Sequence, residues 1–200
     1  MIIDNARINI SLKQLLKQQK KLKDYLIIEK ELLKGDCSKN TELQNAFCRL
    51  YDNDRRHPFI DGAIKDTYFS IMESNYKKVR KGIPVNFIDL FKEIETKTGK
   101  RSIVYTSKML HTIDNSYPIW DSILVSVSNF NLNNSGTGRW SDEQIKYAYD
   151  NYCKEFNLFL KKKEAKTIIK EFDKAFLPIN PNYLKINKIK KIDFVLWKNK

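Results

Sequence analysis

Two features between Thr98 and Val125 have residue types that could do chemistry. At the first, Gly99 is followed by Lys100 and Arg101. A glycine turn between two helices leaves backbone N–H groups at the start of the second helix free to hold a phosphate, and both cations would help. At the second, Asp121 lies at the predicted start of a helix, where backbone N–H groups keep a carboxylate ionised and fixed in direction. The stretch therefore predicts an anion anchor followed by a positioned negative charge.

Two helices must flank the glycine turn for this anchor to form. Asn86 stands before apolar residues at helical spacing, which predicts an N-cap and a helix that runs out at Thr98–Gly99. Ser102 predicts the start of the next helix, which continues to about Ile113. A short connection with Pro118 then leads to Asp121.

The order of glycine hairpin, amphipathic helix, apolar-Pro-apolar stretch and aspartate resembles the helix-hairpin-helix DNA glycosylases, whose glycine/proline-rich loop ends in a catalytic aspartate. The words S-K-M-L-H and Y-P-I-W-D-S are most similar to the 8-oxoguanine DNA glycosylase-like branch. The resemblance covers about 30 of the 200 residues. It departs from the family at Gly99, which stands alone where the family has two glycines, and at Trp120, which is inserted before the aspartate.

The resemblance implies a base-excising enzyme that acts on double-stranded DNA without a cofactor, in repair or against modified foreign DNA. Asp121 would be the catalytic carboxylate, which stabilises positive charge on the sugar as the base leaves. Lys108 would be the amine that attacks the sugar in bifunctional members, although it lies in mid-helix rather than close after the hairpin. The iron–sulfur loop with four cysteines that some relatives carry is absent from the sequence.

Base excision also requires contacts to the flipped nucleotide and to the DNA backbone. Aromatic residues that could stack on a base are Trp120, Tyr117 and Trp140. Gly99, Lys100 and Arg101 are the predicted backbone contacts, and Arg139 is a further one.

Each of these residues also has a structural interpretation. Asp121 could be an N-cap only, a role compatible with catalysis. Lys108 could be a solvated or salt-bridged lysine, and His111 a partly buried histidine rather than a proton donor. Trp120 and Trp140 could be core aromatics. A non-catalytic DNA-binding module and a lysine-rich interaction protein therefore remain as alternatives to the enzyme.

The composition favours a polyanionic partner and disfavours a metal site. The net charge is +13, and 30 of the 37 basic residues are lysine, although codon bias in an AT-rich genome gives the same excess. Three cysteines without C-x-x-C spacing and two histidines predict neither disulfides nor metal. Without a long apolar run or a signal peptide, we expect a cytoplasmic monomer with no membrane contact, associated with the nucleoid when bound.

The periodicity along the rest of the chain predicts an all-α fold of about eight helices. We expect one helical domain over residues 1–200, or two lobes with a cleft, with the hairpin and active-site segment at 86–130. Turn residues at 131–138 predict a loop, and Ser141 with Gln144 predicts a capping box. The other predicted helices are Ser11–Leu33 as one long helix, Thr41–Tyr51, a buried face from Ile60 to Met72, Lys163–Phe176 and about Asn187–Trp197.

Overall fold

The computed structural model describes residues 5–52, 59–120 and 140–197, and within these ranges the chain is all-helical with no strand. The α-helices are α1 Asn5–Leu16, α2 Gln19–Leu32, α3 Thr41–Tyr51, α4 Gly62–Arg80, α5 Phe87–Thr98, α6 Ile103–Ile113, α7 Asp142–Leu160, α8 Lys163–Phe176 and α9 Lys188–Leu196. A 3-10 helix, Pro181–Lys185, lies between α8 and α9. The predicted fold class is therefore confirmed, with nine α-helices in the described ranges.

The helices belong to two compact units. The central unit, residues 19–115, contains α2 to α6, whereas the terminal unit combines residues 1–18 with residues 116–200 and so contains α1 and α7 to α9. The terminal unit is thus assembled from both ends of the chain. The hairpin at Gly99 is part of the central unit, and Pro118 to Trp120 belong to the terminal unit.

The central unit is built around aromatic side chains. In it α2 packs on α3, and α4, α5 and α6 pack on one another. Phe47 of α3 contacts the rings of Tyr68 and Phe69 of α4 at 5.8 and 5.6 Å between centroids, and all three are fully buried. Burying a large apolar side chain contributes roughly 1.5–3 kcal/mol, so this cluster holds α3 against α4.

The terminal unit places α8 at its centre. This helix packs against α1, α7, the 3-10 helix and α9. Its buried face carries Phe172 and Phe176, whose ring centroids lie 4.6 Å apart, and Phe176 meets the ring of Tyr183 edge-on at 5.8 Å. Ile189, Ile192 and Leu196 of α9 are buried, as the sequence predicts.

The prediction of one long helix from Ser11 to Leu33 is wrong. The helix ends at Leu16, and the N–H of Gln18 donates to the carbonyl of Leu15 in a turn before α2 begins at Gln19. The sequence between Leu16 and Leu22 has no apolar residue, so this segment has no side chain that would bind it to a core. Leu15 and Leu22 are fully buried in different units, which explains why the chain turns between them.

The capped helices begin where the sequence predicts. The side chain of Asn86 accepts from the N–H of Asp89, and the side chain of Ser102 accepts from the N–H of Tyr105. Ser141 and Gln144 form the predicted reciprocal capping box at the start of α7. Helix α4 starts at Gly62, so Ile60 lies just before the helix rather than on its face.

Candidate nucleic-acid interface and active-site residues

The predicted hairpin between α5 and α6 is present. Gly99 adopts the left-handed conformation with φ of 69°, and its N–H donates to the carbonyl of Glu95 at 2.8 Å, which ends α5. The N–H of Lys100 donates to the hydroxyl of Thr98 at 3.1 Å. Glycine reaches this region without steric cost, which is why a single glycine suffices to reverse the chain here. Helices α5 and α6 pack against each other across the turn.

Both cations of the hairpin are held by acceptors of the central unit. The ammonium of Lys100 donates to the carbonyl of Phe59 at 2.9 Å and lies 3.3 Å from the carboxylate of Asp61. Nη1 of Arg101 lies 2.5 Å from Oε2 of Glu95, and the guanidinium sits 4.8 Å from the centroid of the Phe91 ring. A phosphate at this turn would therefore compete with two carboxylates of the protein.

Lys108 is buried, so the interpretation of a solvated lysine is wrong. Its ammonium donates to the carbonyl of Tyr51 at 2.8 Å and lies 4.4 Å from the centroid of the Tyr105 ring. Tyr51 is the last residue of α3, where carbonyls lack partners within the helix and carry the negative end of the helix dipole. The amine of Lys108 thus caps the C-terminus of α3 from a helix that is distant in sequence.

Asp52, the residue after Tyr51, accepts hydrogen bonds that no sequence motif predicts. The hydroxyl of Tyr105 donates to Asp52 at 2.6 Å, and the N–H groups of Phe59 and Ile60 donate to the same carboxylate at 3.2 and 2.9 Å. The rings of Phe59 and Tyr105 stack at 4.0 Å with 7° between their planes. Asp52 therefore joins the end of α3 to Phe59 and Ile60 and to α6. No local sequence signal indicates the contact with Tyr105, because the two residues are 53 apart in the chain.

The backbone before Asp121 is fixed by two buried tyrosines of α7. The hydroxyl of Tyr149 donates to the carbonyl of Pro118 at 2.9 Å, and that of Tyr152 donates to the carbonyl of Ile119 at 2.8 Å. Burial raises the pKa of Tyr149 well above its usual value, so its hydroxyl keeps its proton in alkaline as well as neutral solution.

Trp120 belongs to the same packed cluster. Its ring centroid lies 5.2 Å from that of Tyr152 and 6.4 Å from that of Tyr149, and only 7% of the residue is exposed. These surroundings favour the interpretation of Trp120 as a core aromatic. Tyr117 and Trp140 are half-buried, and Trp140 directly precedes the cap of α7.

Some of the remaining predicted residues lie outside the described ranges, and others lie within them. Asp121, Arg139 and the predicted loop at 131–138 lie outside the described residues, as does the helix predicted to follow Asp121. His111 is fully buried, with its ring centroid 6.2 Å from that of Tyr25, so it lies in the core of the central unit.

The described residues contain no cluster of side chains that could hold a metal ion. Within residues 5–52, 59–120 and 140–197, no three histidine, cysteine, aspartate or glutamate side chains are grouped so as to hold a metal ion. The three cysteines are free, and burial raises the pKa of Cys37 and Cys153 to about 12, so these thiols stay protonated. No helix in these ranges is both long and apolar enough to cross a membrane.

Comparison of the chain with protein-family models, with curated proteins and with solved structures finds no match.

Proposed function

We propose that this chain is a DNA glycosylase-like enzyme that cleaves the N-glycosidic bond of a damaged or modified base with Asp121 as its catalytic carboxylate. The observation that carries the proposal is the fixed backbone before that residue. The hydroxyls of Tyr149 and Tyr152 hold the carbonyls of Pro118 and Ile119, three and two residues upstream of Asp121. A catalytic group works only when held within a narrow range of positions, so two buried hydrogen bonds just before the aspartate support the proposal.

The main catalytic requirement of this reaction is one positioned negative charge. The bond between C1′ and the base nitrogen breaks, the base leaves with the electron pair and takes up a proton, and water adds to C1′ and gives up a proton in turn. Positive charge develops on the sugar in the transition state, and the carboxylate of Asp121 stabilises it. The target nucleotide must first leave the helical stack.

The charge and the hairpin support the DNA-binding half of the proposal. A net charge of +13 favours association with a phosphate backbone through release of counterions. The left-handed Gly99 places the start of α6 beside the two basic residues of the turn. Contacts of this kind set position on DNA rather than sequence preference.

The position of Lys108 favours a hydrolytic reaction over strand cleavage. An amine that attacks the sugar must be unprotonated and reach C1′, whereas the amine of Lys108 is buried and caps α3 through the carbonyl of Tyr51. We therefore expect base release without an imine at Lys108. The same observation favours a second candidate function, a non-catalytic DNA-binding module that uses the hairpin fold without the chemistry.

The decisive experiment measures base release from a panel of duplexes that carry damaged or modified bases. Asp121→Asn keeps an oxygen that can cap a helix but loses the negative charge, so base release should fall by about a hundredfold or more while DNA affinity changes little. Asp66→Asn, an exposed change on α4, is the matched control and should leave base release unchanged. Borohydride should trap no protein–DNA adduct.

The outcomes separate the candidates. If no substrate loses a base and Asp121→Asn only lowers the melting temperature, the catalytic proposal fails, and DNA binding at low salt then supports the non-catalytic module. Absence of DNA binding at low salt would leave the lysine-rich interaction protein. A borohydride adduct that Lys108→Gln abolishes in a folded variant would restore Lys108 as the nucleophile.

A further inference from the structure

Helix α8 carries a face of exposed lysines that the proposed active site does not use. Lys163, Lys166, Lys170 and Lys174 are all exposed, and we call these four residues the α8 lysine face. At 3.6 residues per turn they lie within an arc of about 80° and extend over about 17 Å of the helix. The buried residues of the helix, Ala165, Ile168, Phe172 and Phe176, lie on the opposite side.

None of the four ammonium groups forms an ion pair or a side-chain hydrogen bond with another described residue. The acidic residues of α8 do not neutralise them. Asp173 accepts from Lys191 at 2.6 Å, and Glu164 and Glu171 lie half-buried at the border of the lysine face. No carboxylate of the described residues therefore neutralises these four charges, and a partner of opposite sign can do so.

Two parts of this arrangement work against the stability of the helix, although Glu164 in the first turn and Lys174 in the last turn complement the helix dipole. Lys166 and Lys170, like Lys170 and Lys174, are four residues apart, where like charges repel each other. Lys161, Lys162 and Lys163 stand at the N-terminal end, where the helix dipole is already positive, and Lys162 at the N-cap makes no side-chain cap. A polyanion on this face would relieve both repulsions.

The residues on the face indicate which polyanion fits. Membrane-surface helices expose apolar side chains beside their lysines, and protein interfaces use aromatic or aliphatic anchors. The exposed face of α8 has neither, because its apolar residues are buried or half-buried, and the exposed Leu177 and Ile179 follow the end of the helix. A row of point charges about 17 Å long instead matches a phosphate backbone, in which one strand places a charge every 3.4 Å along the axis.

We propose that the α8 lysine face is a second DNA-backbone contact, separate from the hairpin at Gly99. It rests on the DNA-binding half of the proposed function and is independent of the chemistry at Asp121. Lysine, a flexible point charge, suits such a contact because the phosphates carry no sequence information.

The test compares two variants of equal charge. One replaces Lys163, Lys166, Lys170 and Lys174 with glutamine. The control replaces four exposed lysines on separate segments, Lys13, Lys23, Lys39 and Lys81. Each variant loses four positive charges and falls from +13 to +9. The probes are an undamaged 20-base-pair duplex, titrated at several salt concentrations, and phosphatidylserine vesicles, with circular dichroism to verify folding.

We expect the α8 variant to bind the duplex at least about tenfold more weakly at low salt, with a slope of log affinity against log salt shallower by up to about 3.6, which is 0.9 for each of four contacts. The control variant should lose less than about threefold. Equal losses of duplex affinity in both variants would show that only the net charge of the protein affects binding. That result would overturn the proposal. So would a loss of vesicle binding with DNA binding intact, since that result would assign the face to a lipid surface.

Base release by the parent protein and by the control variant separates this proposal from the catalytic one. Base release by both proteins, together with weaker duplex binding by the α8 variant, supports both proposals. If the parent protein releases no base from any substrate but the α8 variant still binds the duplex more weakly, the result supports the lysine face and contradicts the glycosylase proposal.

Discussion

The hairpin and helix α8 use their basic residues in opposite ways. At the hairpin, Lys100 and Arg101 are held by Asp61 and Glu95, and Lys108 is buried against a helix end. On α8, the four lysines of the lysine face have no ionic partner among the described residues. Net charge counts all seven side chains alike, but only those without an internal partner can release counterions from DNA at no internal cost. The region that a motif singles out therefore has fewer available charges than one that no motif predicts.

The largest expected difference between the two regions is in stability, when one lysine is removed from each. Lys108→Ala should lower the free energy of unfolding by about 2–4 kcal/mol, because it leaves a cavity and takes the donor from the carbonyl of Tyr51. Lys170→Ala should change it by less than about 0.5 kcal/mol, since the residue is exposed and alanine favours helix. Urea denaturation of the two variants measures both values. Equal and small effects would mean that Lys108 does not cap α3.

The ion pair of Lys77 with Glu73 in the central unit should make stability depend on pH, unlike a lysine of the α8 lysine face. Hydrogen bonds from Lys77 and Ser38 lower the pKa of Glu73 from 4.5 to about 2. A lowered pKa in the folded state means that the stabilisation is complete above the ordinary value of 4.5 and is lost as pH falls towards about 2.

Glu73→Gln should therefore cost about 1–2 kcal/mol at pH 7, a modest value because Lys77 is exposed and screened by solvent. The difference between the variant and the parent protein should vanish near pH 2. Lys170 has no ion-pair partner among the described residues, so Lys170→Gln should show no pH-dependent difference in this window. Denaturant titrations from pH 7 downwards measure both, and a Glu73→Gln penalty that is constant with pH would contradict the ion pair.

The backbone of the hairpin gives a smaller effect. Gly99→Ala should destabilise the protein by about 1 kcal/mol, because alanine rarely adopts a φ of 69°. No atom lies within 4 Å of an added Cβ, so the cost is conformational and not steric. Gly62→Ala is the matched control, since its added Cβ also meets open space and its φ is not positive. Thermal melting of the pair should show a loss for Gly99 alone.

The smallest effect tests whether the hairpin binds phosphate at all. Glu95→Gln removes the carboxylate that holds Arg101, so affinity for an undamaged duplex should rise by about two- to fivefold, although the ion pair is lost. Glu155→Gln on α7 makes the same charge change at an exposed position. An equal gain for both variants in a fluorescence-anisotropy titration would show that only net charge acts, and that the hairpin is not a DNA contact.

The sequence by itself determined the helices and most of their ends. Asn86, Ser102, Ser141 and Gly99 act on backbone groups within a few residues, so caps and turns can be predicted from neighbours in the chain. The break before Gln19 was missed because Leu15 and Leu22 fit one helical face locally and are separated only by the cores that bury them.

Tertiary structure alone decided where the side chains of the candidate site lie. Lys108 and Tyr51 are 57 residues apart in the chain, and Tyr152 and Ile119 are 33 apart, so no window of sequence contains either hydrogen bond. Helical periodicity told which face of α6 or α8 is apolar, but not what lies against the other face. A lysine becomes a buried cap or an available charge according to what packs beside it, which is why Lys108 and Lys170 are alike in sequence and different in the folded protein.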